Sequence, residues 1–281
     1  MFHYFKSQPF KVIKSKRRHQ KKKYQHFFHL TPDTLLDIAY ITMLIDHVGA
    51  YWIEPFLYGG HGSYLLLVLY SWLRAIGRIA FPIFAFSIAE GYIYTRKTPS
   101  GFPLRYALRL FVFALVSEPT FDYAHQALFN SPAQANVGWT LLFGLLALWL
   151  SDVLQEKWLD PNLQKGLRLR TLTHFLSWVI FGGVATFVGG DYGAWGVGLI
   201  LLFDLRRYIH DTYLDKWKKP ITILLCLMCV TLNIWHLLSL PLIHYAYKHG
   251  RGERRPRKLD YAIYPVSNLI FGLVRHLLLP L

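Results

Sequence analysis

Apolar runs separated by short polar turns cover almost all of the sequence after residue 33. A helix needs about 20 mostly apolar residues to cross roughly 30 Å of hydrocarbon, and a series of windows approaches that length. They run approximately over residues 34–57, 64–95, 104–126, 137–154, 172–188, 192–209, 221–246 and 261–279. The pattern predicts an all-α fold, a polytopic transmembrane helical bundle of about 8 spans, or 8 to 10 if the longer windows are broken.

The window at residues 64–95 is longer than one straight span requires. Arg74, Gly77, Arg78 and Pro82 interrupt it, and a proline removes a helical hydrogen bond. Non-helical backbone at membrane depth is tolerated only where protein or a cavity covers it. We therefore expect an interfacial or broken first part, followed by a helix that contains residues 79–94.

Charge is distributed unevenly along the 281 residues, with 31 Lys and Arg against 16 Asp and Glu and a formal net charge of +15. A soluble domain this basic would favour nucleic-acid binding, but 53% hydrophobic residues exclude that interpretation. Residues 1–29 carry many of the positive charges and no acidic residue. We predict a basic N-terminal arm over residues 1–33, a membrane domain over residues 34–281, the lipid bilayer as a partner and no nucleic acid.

The distribution of Lys and Arg between the turns predicts the orientation in the membrane. The basic arm places the N-terminus in the cytoplasm, and basic and non-basic turns then alternate through the first six helices. The alternation fails at residues 248–258, a basic segment that follows the window at 221–246. Either that window is a broken hairpin that turns near residues 233–236, or a basic external loop is tolerated.

Ionisable residues inside the apolar windows are the candidates for chemistry. A charge near the middle of a span costs about 2.5 to 3.5 kcal/mol on insertion scales, so such residues usually face a cavity or a partner. In the first three windows they are Asp46, His47, Arg74, Arg78, Glu90, Glu118 and Asp122.

His47 lies not far from mid-membrane, judged by its distance along the first window. A neutral imidazole can take a proton from an attacking amine or hydroxyl, and a buried histidine can equally donate one hydrogen bond between helices. Asp46 is adjacent, but neighbouring helical residues point about 100° apart. Each of the two is therefore expected to find its partner on another helix, and Arg74 and Arg78 are the natural candidates.

Arg74 and Arg78 are four residues apart and share a helix face. Two guanidinium groups on one face can bind a carboxylate, a phosphate or a developing oxyanion; alternatively, Arg78 neutralises Asp46 and stabilises packing. Glu118 and Asp122 also share a face, where they either receive a cationic substrate or pair with buried arginines. Position alone leaves these alternatives open.

Cys226 and Cys229 are the two cysteines, and they lie inside an apolar run. They provide neither a disulfide framework nor a cysteine metal site, and no Walker or Rossmann pattern occurs in its required strand context. We expect no metal.

A series of short blocks runs from about residue 37 to the C-terminus, and together the blocks are specific where any one alone would be weak. They are 41–49 with Asp46 and His47, 73–86 with Arg74 and Arg78, 89–91 with Glu90, Arg109-Leu110, 117–122 with Glu118 and Asp122, 134–148 with Asn136 and Thr140, 191–197, and Tyr264-Pro265. In this order they resemble the TraX family of integral membrane proteins, named for the F-pilin acetylation protein.

The resemblance implies an acetyltransferase of the bacterial cytoplasmic membrane that moves acetyl from acetyl-CoA to a membrane-associated acceptor. The acceptor would be a pilin-like peptide, a sugar or a lipid, modified on an amino group or a hydroxyl. By resemblance, the residues divide into three roles. The catalytic residues are His47, Asp46 and Arg78, the acetyl-CoA ligands are Arg74, Arg78 and Arg109, and the acceptor contacts are Glu90, Glu118, Asp122 and Asn136.

The sequence departs from the family pattern near its C-terminus. A histidine commonly stands two residues after the Tyr-Pro pair, whereas here Ser267 stands there, followed by Asn268. Ala135 also separates Gln134 from Asn136, which are usually contiguous. Two other classes therefore stay open: a proton- or ion-coupled transporter that uses the intramembrane charges, and a non-catalytic membrane assembly factor.

Overall fold

The computed structural model describes residues 31–58, 60, 62–95, 101–125, 134–157, 163–249 and 260–278. Within these ranges the fold is all-α, as predicted, and one isolated bridge between Ala135 and Gly190 is the only β-type pairing. Residues 1–30 of the basic arm and residues 250–258 of the basic segment lie outside the described residues.

The helices follow the predicted windows closely. They are α1 Pro32–Val48, α2 Glu54–Tyr58, α3 Tyr64–Gly77, α4 Ala80–Thr95, α5 Leu104–Ala124, α6 Val137–Lys157, α7 Leu163–Phe187, α8 Gly193–Asp211, α9 Lys218–Leu232, α10 Ser239–His249 and α11 Asp260–Leu278. Two short 3-10 turns, Asp215–Trp217 and Ile234–Leu238, precede α9 and α10.

Helix α1 begins where its sequence allows it to be capped. The Thr31 hydroxyl accepts a hydrogen bond from the Thr34 amide, and Pro32 occupies the first helical position. At its other end, α1 continues into a π-helical turn over Gly49–Ile53, in which the Glu54 amide donates to the Gly49 carbonyl. Such π turns often occur at functional sites.

The long second window is broken at the expected position. Helix α3 ends at Gly77, Arg78 and Ile79 form a turn, and α4 begins at Ala80. Pro82 lies in the first turn of α4, where its missing amide hydrogen costs no helical hydrogen bond. The predicted discontinuity is therefore confirmed, and it leaves Arg78 between two helices.

The window at 221–246 forms a broken hairpin, which was one of the two predicted alternatives for this segment. Helix α9 ends at Leu232, and α10 runs back in the direction opposite to α9. Ile221 packs with Leu205 and Ile209 near the end of α8, while Arg206 Nη2 donates to His244 Nδ1 over 2.8 Å. Both arms of the hairpin therefore reach the same end of α8.

Helix α11 runs parallel to α5. The Tyr261 ring meets Phe113, with 6.1 Å between centroids, and further along Gly272 lies against Tyr123. At the start of α5, Tyr106 lies against Gly91 of α4, and Glu90 of α4 lies 4.0 Å from Arg207 of α8. Helix α11 therefore begins at the end of the bundle where α8 ends.

The outer faces of the bundle are apolar. Large hydrophobic side chains are exposed along α3, α5, α7, α9 and α11, whereas soluble proteins rarely expose such continuous patches. Among the described residues, two helical stretches are long and apolar enough to cross a membrane, Tyr64–Thr95 and Val137–Glu156. The count of about 8 spans stays a prediction.

Candidate functional site

The first part of the site is a close crossing between α1 and α3. A side chain at Gly77 would collide with Asp46, and a Cβ at Gly49 would lie 3.3 Å from Leu73 Cβ. Small residues allow two helices to approach this closely. The crossing brings Asp46 and His47, at the end of α1, against the last turn of α3.

An ion pair spans this crossing. Arg74 Nη1 donates to Asp46 Oδ2 over 2.7 Å, so Asp46 has its partner on another helix, as expected. The direct partner is Arg74 and not Arg78, because Arg78 lies beyond the end of α3 and its guanidinium faces Tyr192. Asp46 Oδ1 is buried, and no hydrogen-bond partner for it lies among the described residues.

Arg78 lies in the turn between α3 and α4. Its guanidinium donates to the Tyr192 hydroxyl, and Asp46 and Asp191 are close enough to act on its charge. The Tyr192 ring stacks on Phe81, with 3.4 Å between centroids and 4° between the ring planes. The turn between α7 and α8 therefore packs against the crossing of α1 and α3.

His47 is buried in a group of aromatic rings. Its ring centroid lies 5.2 Å from that of Tyr51, 5.6 Å from that of Tyr264 and 6.0 Å from that of Phe271. Arg74 is close enough to act on its charge. Nδ1 of His47 is buried, and the described part of the chain supplies no hydrogen-bond partner for it. One ring nitrogen of His47 is thus unpaired within the described part of the chain.

Asn268 completes this group, and sequence reasoning did not select it. The Tyr51 hydroxyl donates to Asn268 Oδ1 over 3.2 Å, while Asn268 Nδ2 is buried without a partner in the described ranges. Ser267, at the position of the family histidine, instead donates to the Tyr264 carbonyl over 2.9 Å. The signal in the sequence was Ser267, at the position where the resemblance leads us to expect a histidine. The next residue is the polar Asn268.

His125 closes the group from the end of α5. Its ring lies 4.8 Å from Tyr51, nearly perpendicular to it, and its Nδ1 donates to the Phe121 carbonyl over 3.0 Å.

A cleft of about 260 Å³ opens beside the two arginines. Tyr70, Ser71, Arg74 and Arg78 line one side of it, and Asn233 and Trp235 line the other. The break between α3 and α4 and the break between α9 and α10 thus meet at one cavity. We call this cavity the arginine cleft.

A second imidazole, that of His236, lies behind the arginine cleft. Its Nδ1 is 2.9 Å from the Asn233 carbonyl, which can only accept, so Nδ1 carries the hydrogen and Nε2 is the acceptor. Nε2 is buried, with no partner among the residues that the structure describes. The ring contacts Phe81 and Tyr192.

Glu118 and Asn136 lie together at the end of α5 and the start of α6. Asn136 Nδ2 donates to Glu118 Oε2 and, over 2.8 Å, to the Ala114 carbonyl, while its Oδ1 caps α6 by accepting from the Gly138 amide. Trp139 Nε1 also donates to Glu118 over 3.0 Å. The partners of Glu118 are therefore amide and indole groups and not the buried arginines that were one alternative.

Three of the predicted site residues lie apart from His47. Asp122 is exposed and does not join Glu118. Arg109 is also exposed and contacts Tyr261 on α11. Glu90 lies 4.0 Å from Arg207, in a separate cluster. The structure therefore does not bring the full predicted set into one cavity.

That separate cluster is a buried network of charges between α4, α6, α7 and α8. Asp204 is fully buried and accepts from Arg170, from His174 Nε2 over 3.0 Å and from Arg207 over 2.6 Å. The Tyr92 hydroxyl donates to Asp152, which also faces Arg170. We call this network the buried ion cluster. The signal that could have identified this cluster from the sequence is the position of Asp204 inside an apolar window.

The arrangement provides hydrogen-bond donors, acceptors and one candidate base. Among the described residues, no group of three or more His, Cys, Asp or Glu side chains has the geometry to hold a metal ion. The arginine cleft, at about 260 Å³, is smaller than the pockets of roughly 300–1,000 Å³ that hold drug-sized ligands. It can accept the acyl end of a thioester or a small head group, but not a whole coenzyme A.

Comparison with known proteins identifies one family. A family model described as TraX protein matches residues 32–275, which is most of the chain. No curated protein and no solved structure gives a significant match.

Proposed function

Because this chain belongs to the TraX family, we propose that it is an integral membrane acetyltransferase that uses acetyl-CoA. Family membership and the two apolar helical stretches support a membrane protein. In the proposed arrangement, the bundle crosses the cytoplasmic membrane of a bacterium several times, with its N-terminus in the cytoplasm. The acceptor is an amino group or hydroxyl on a membrane-associated molecule.

The observation that carries this proposal is a buried imidazole with an unpaired nitrogen beside Arg74, which together with Arg78 lines the arginine cleft. His47 Nδ1 has no partner among the described residues, and Arg74 acts on its charge. Arg74 and Arg78 also line the arginine cleft. A base next to fixed positive charge is the combination that acyl transfer requires.

In the proposed reaction, His47 takes the proton of the acceptor amine or hydroxyl as that group attacks the thioester carbonyl carbon. The carbonyl electron pair moves to oxygen, and the guanidinium groups of Arg74 and Arg78 stabilise the resulting oxyanion. When the carbonyl re-forms, the carbon–sulfur bond breaks and the coenzyme A thiolate leaves. The thiolate takes up the proton that His47 had accepted.

Purified full-length protein in nanodiscs provides the test. Acetyl-CoA turnover, followed as free thiol, should fall about 10²- to 10⁴-fold in His47→Ala, the usual contribution of a general base. His210→Ala is the matched control, because His210 is exposed on α8. Turnover that stays at the wild-type rate in His47→Ala would remove this residue from the mechanism.

A proton- or ion-coupled transporter is the second candidate, and the buried ion cluster is what favours it. Ser151 donates to His174 Nδ1 over 2.6 Å, and His174 Nε2 donates to Asp204, which forms a continuous hydrogen-bonded chain. Chains of this kind occur in proton relays. Proteoliposomes separate the candidates: flux that follows a pH gradient, without acetyl-CoA binding, would select transport.

A further inference from the structure

We propose that the arginine cleft is a lateral port through which a phospholipid-type acceptor presents its head group from the bilayer. This proposal rests on the proposed function, since it names the acceptor of the same reaction. The head group would carry a phosphate together with a hydroxyl or an amine, and the acyl chains would stay outside the protein.

The position of the two helix breaks is the first argument. Helix α3 ends at Gly77 and helix α9 ends at Leu232, and residues directly after both ends line the arginine cleft. Broken helices at membrane depth need a cavity or protein to satisfy their freed backbone groups. Two independent breaks at one cavity are the pattern expected of a binding site within the membrane.

The chemistry around the cleft is the second argument. The guanidinium groups of Arg74 and Arg78 match a phosphate in charge and in hydrogen-bonding geometry. Close by, Asp46 Oδ1 is buried and lacks a hydrogen-bond donor among the described residues. A ligand that binds the two arginines and also donates a hydrogen bond to Asp46 has an anionic group and a separate hydroxyl or amine, as phospholipid head groups do.

The surface around the mouth is the third argument. Ser71 and Trp235 line the cleft and are exposed. Exposed apolar side chains adjoin these two residues: Leu67, one turn before Ser71 on α3, is 49% exposed, and Ile234, next to Trp235, is 61% exposed. A water-soluble acceptor would gain nothing from this border, whereas the chains of a lipid would lie along it.

The size of the cleft is consistent with a head group inside the protein and acyl chains outside it. A cavity of about 260 Å³ holds a small polar head group but not two acyl chains. The head group would enter between α3 and the hairpin turn, with its phosphate at Arg78 and its hydroxyl or amine directed towards Arg74 and its partner Asp46. The lipid would therefore bring the nucleophile to the helix crossing next to the proposed base without leaving the membrane.

The test uses full-length protein in phosphatidylcholine nanodiscs that contain phosphatidylglycerol with a photoactivatable group on its head. Wild-type protein should be labelled within residues 64–78 and 233–238, and labelling there should fall about tenfold in Arg78→Gln, as expected when a charged hydrogen bond is lost. Ser71→Trp should block the mouth and have a similar effect. Since Ser71 is exposed, this second variant does not depend on a buried substitution.

Thr222→Trp is the matched control for Ser71→Trp. Both hydroxyls are exposed and donate to the carbonyl four residues earlier over 2.8 Å, but Thr222 does not line the cleft. Equal labelling of these two variants would overturn the port. Equal labelling by a diacylglycerol probe, which lacks the phosphate, would also overturn it. Competition by soluble glycerol phosphate as strong as that by phosphatidylglycerol would overturn it as well, since it would indicate a site for free anions.

Two outcomes separate this proposal from the proposed function. His47→Ala should lose acetyl transfer and keep the labelling, since His47 does not line the cleft. Acetyl transfer to a membrane-inserted peptide, without labelling by phosphatidylglycerol, would reject the lipid acceptor and leave the acetyltransferase standing.

Discussion

Arg74 Nη1 lies 2.7 Å from Asp46 Oδ2, and this ion pair fastens α3 to α1 one residue before His47. Both side chains are largely covered, so the pair lies in a medium of low polarity, where an unpaired charge is costly. The position of the candidate base thus depends on a contact between helices and not on its neighbour in the sequence.

Substitution of Gly77 should disturb that contact. In Gly77→Ala, the new methyl group would collide with the Asp46 side chain, so the helices must separate. We expect a loss of about 1–3 kcal/mol in the free energy of unfolding, as for other overpacked positions, together with reduced acetyl-CoA turnover. Gly183→Ala is the control, because a Cβ there meets nothing within 4 Å. Identical melting temperatures in the two variants would contradict the close crossing.

Asp204→Asn should destabilise the protein strongly. It removes the carboxylate that faces Arg170 and Arg207 in the buried ion cluster, and uncompensated buried charges cost about 3–5 kcal/mol. Asp215→Asn breaks an exposed ion pair with Lys218 and should change stability by at most about 1 kcal/mol. Thermal unfolding in one detergent compares them, and comparable losses would show that the cluster is not effectively buried.

Asn136→Ala should act on stability and not on substrate binding. The substitution removes the cap of α6, worth about 1 kcal/mol, and the donor to the Ala114 carbonyl. We expect a lower melting temperature, with the KM for the acceptor unchanged in the folded fraction. Gln134→Ala, at an exposed position, should change neither quantity. A raised KM at full stability would instead support the contact with substrate that the family resemblance implies.

The hairpin predicts which side of the membrane the start of α11 faces. In a background of Cys226→Ala and Cys229→Ala, single cysteines replace Asp260, Tyr213 or Ser63. An impermeant maleimide should label positions 260 and 213 from the same side, because both arms of the hairpin reach the Arg206 end of α8, and should label position 63 from the other. If position 260 is labelled from the same side as position 63, the segment over α9 and α10 crosses the membrane once and the hairpin is wrong.

The helices could be predicted because length and apolar composition determine them before any tertiary contact forms. The break at Arg78 was also predictable, since Gly77 and Pro82 weaken a helix locally. The partner of Asp46 was predicted only as Arg74 or Arg78. These two arginines share a helix face only if the helix continues, and its end at Gly77 turns Arg78 towards Tyr192.

The buried ion cluster and Asn268 were harder to predict for a different reason. Arg170 and His174 lie on α7 and Asp204 lies on α8, and each alone resembles a residue near the end of a span. Only the packing of α7 against α8 shows that they share hydrogen bonds. Asn268 is likewise meaningful only beside Tyr51, which is 217 residues away in the sequence.

The π-helical turn at Gly49–Ile53 constrains how this part of the chain can vary in length. An α-helix advances about 100° per residue, so the deletion of one residue from the turn would rotate everything beyond it by that angle relative to His47. Tyr51 would then leave both the imidazole and Asn268, although the helix would scarcely shorten. Substitutions can be absorbed here by repacking, but the number of residues between the imidazole and α2 cannot change without dismantling the site.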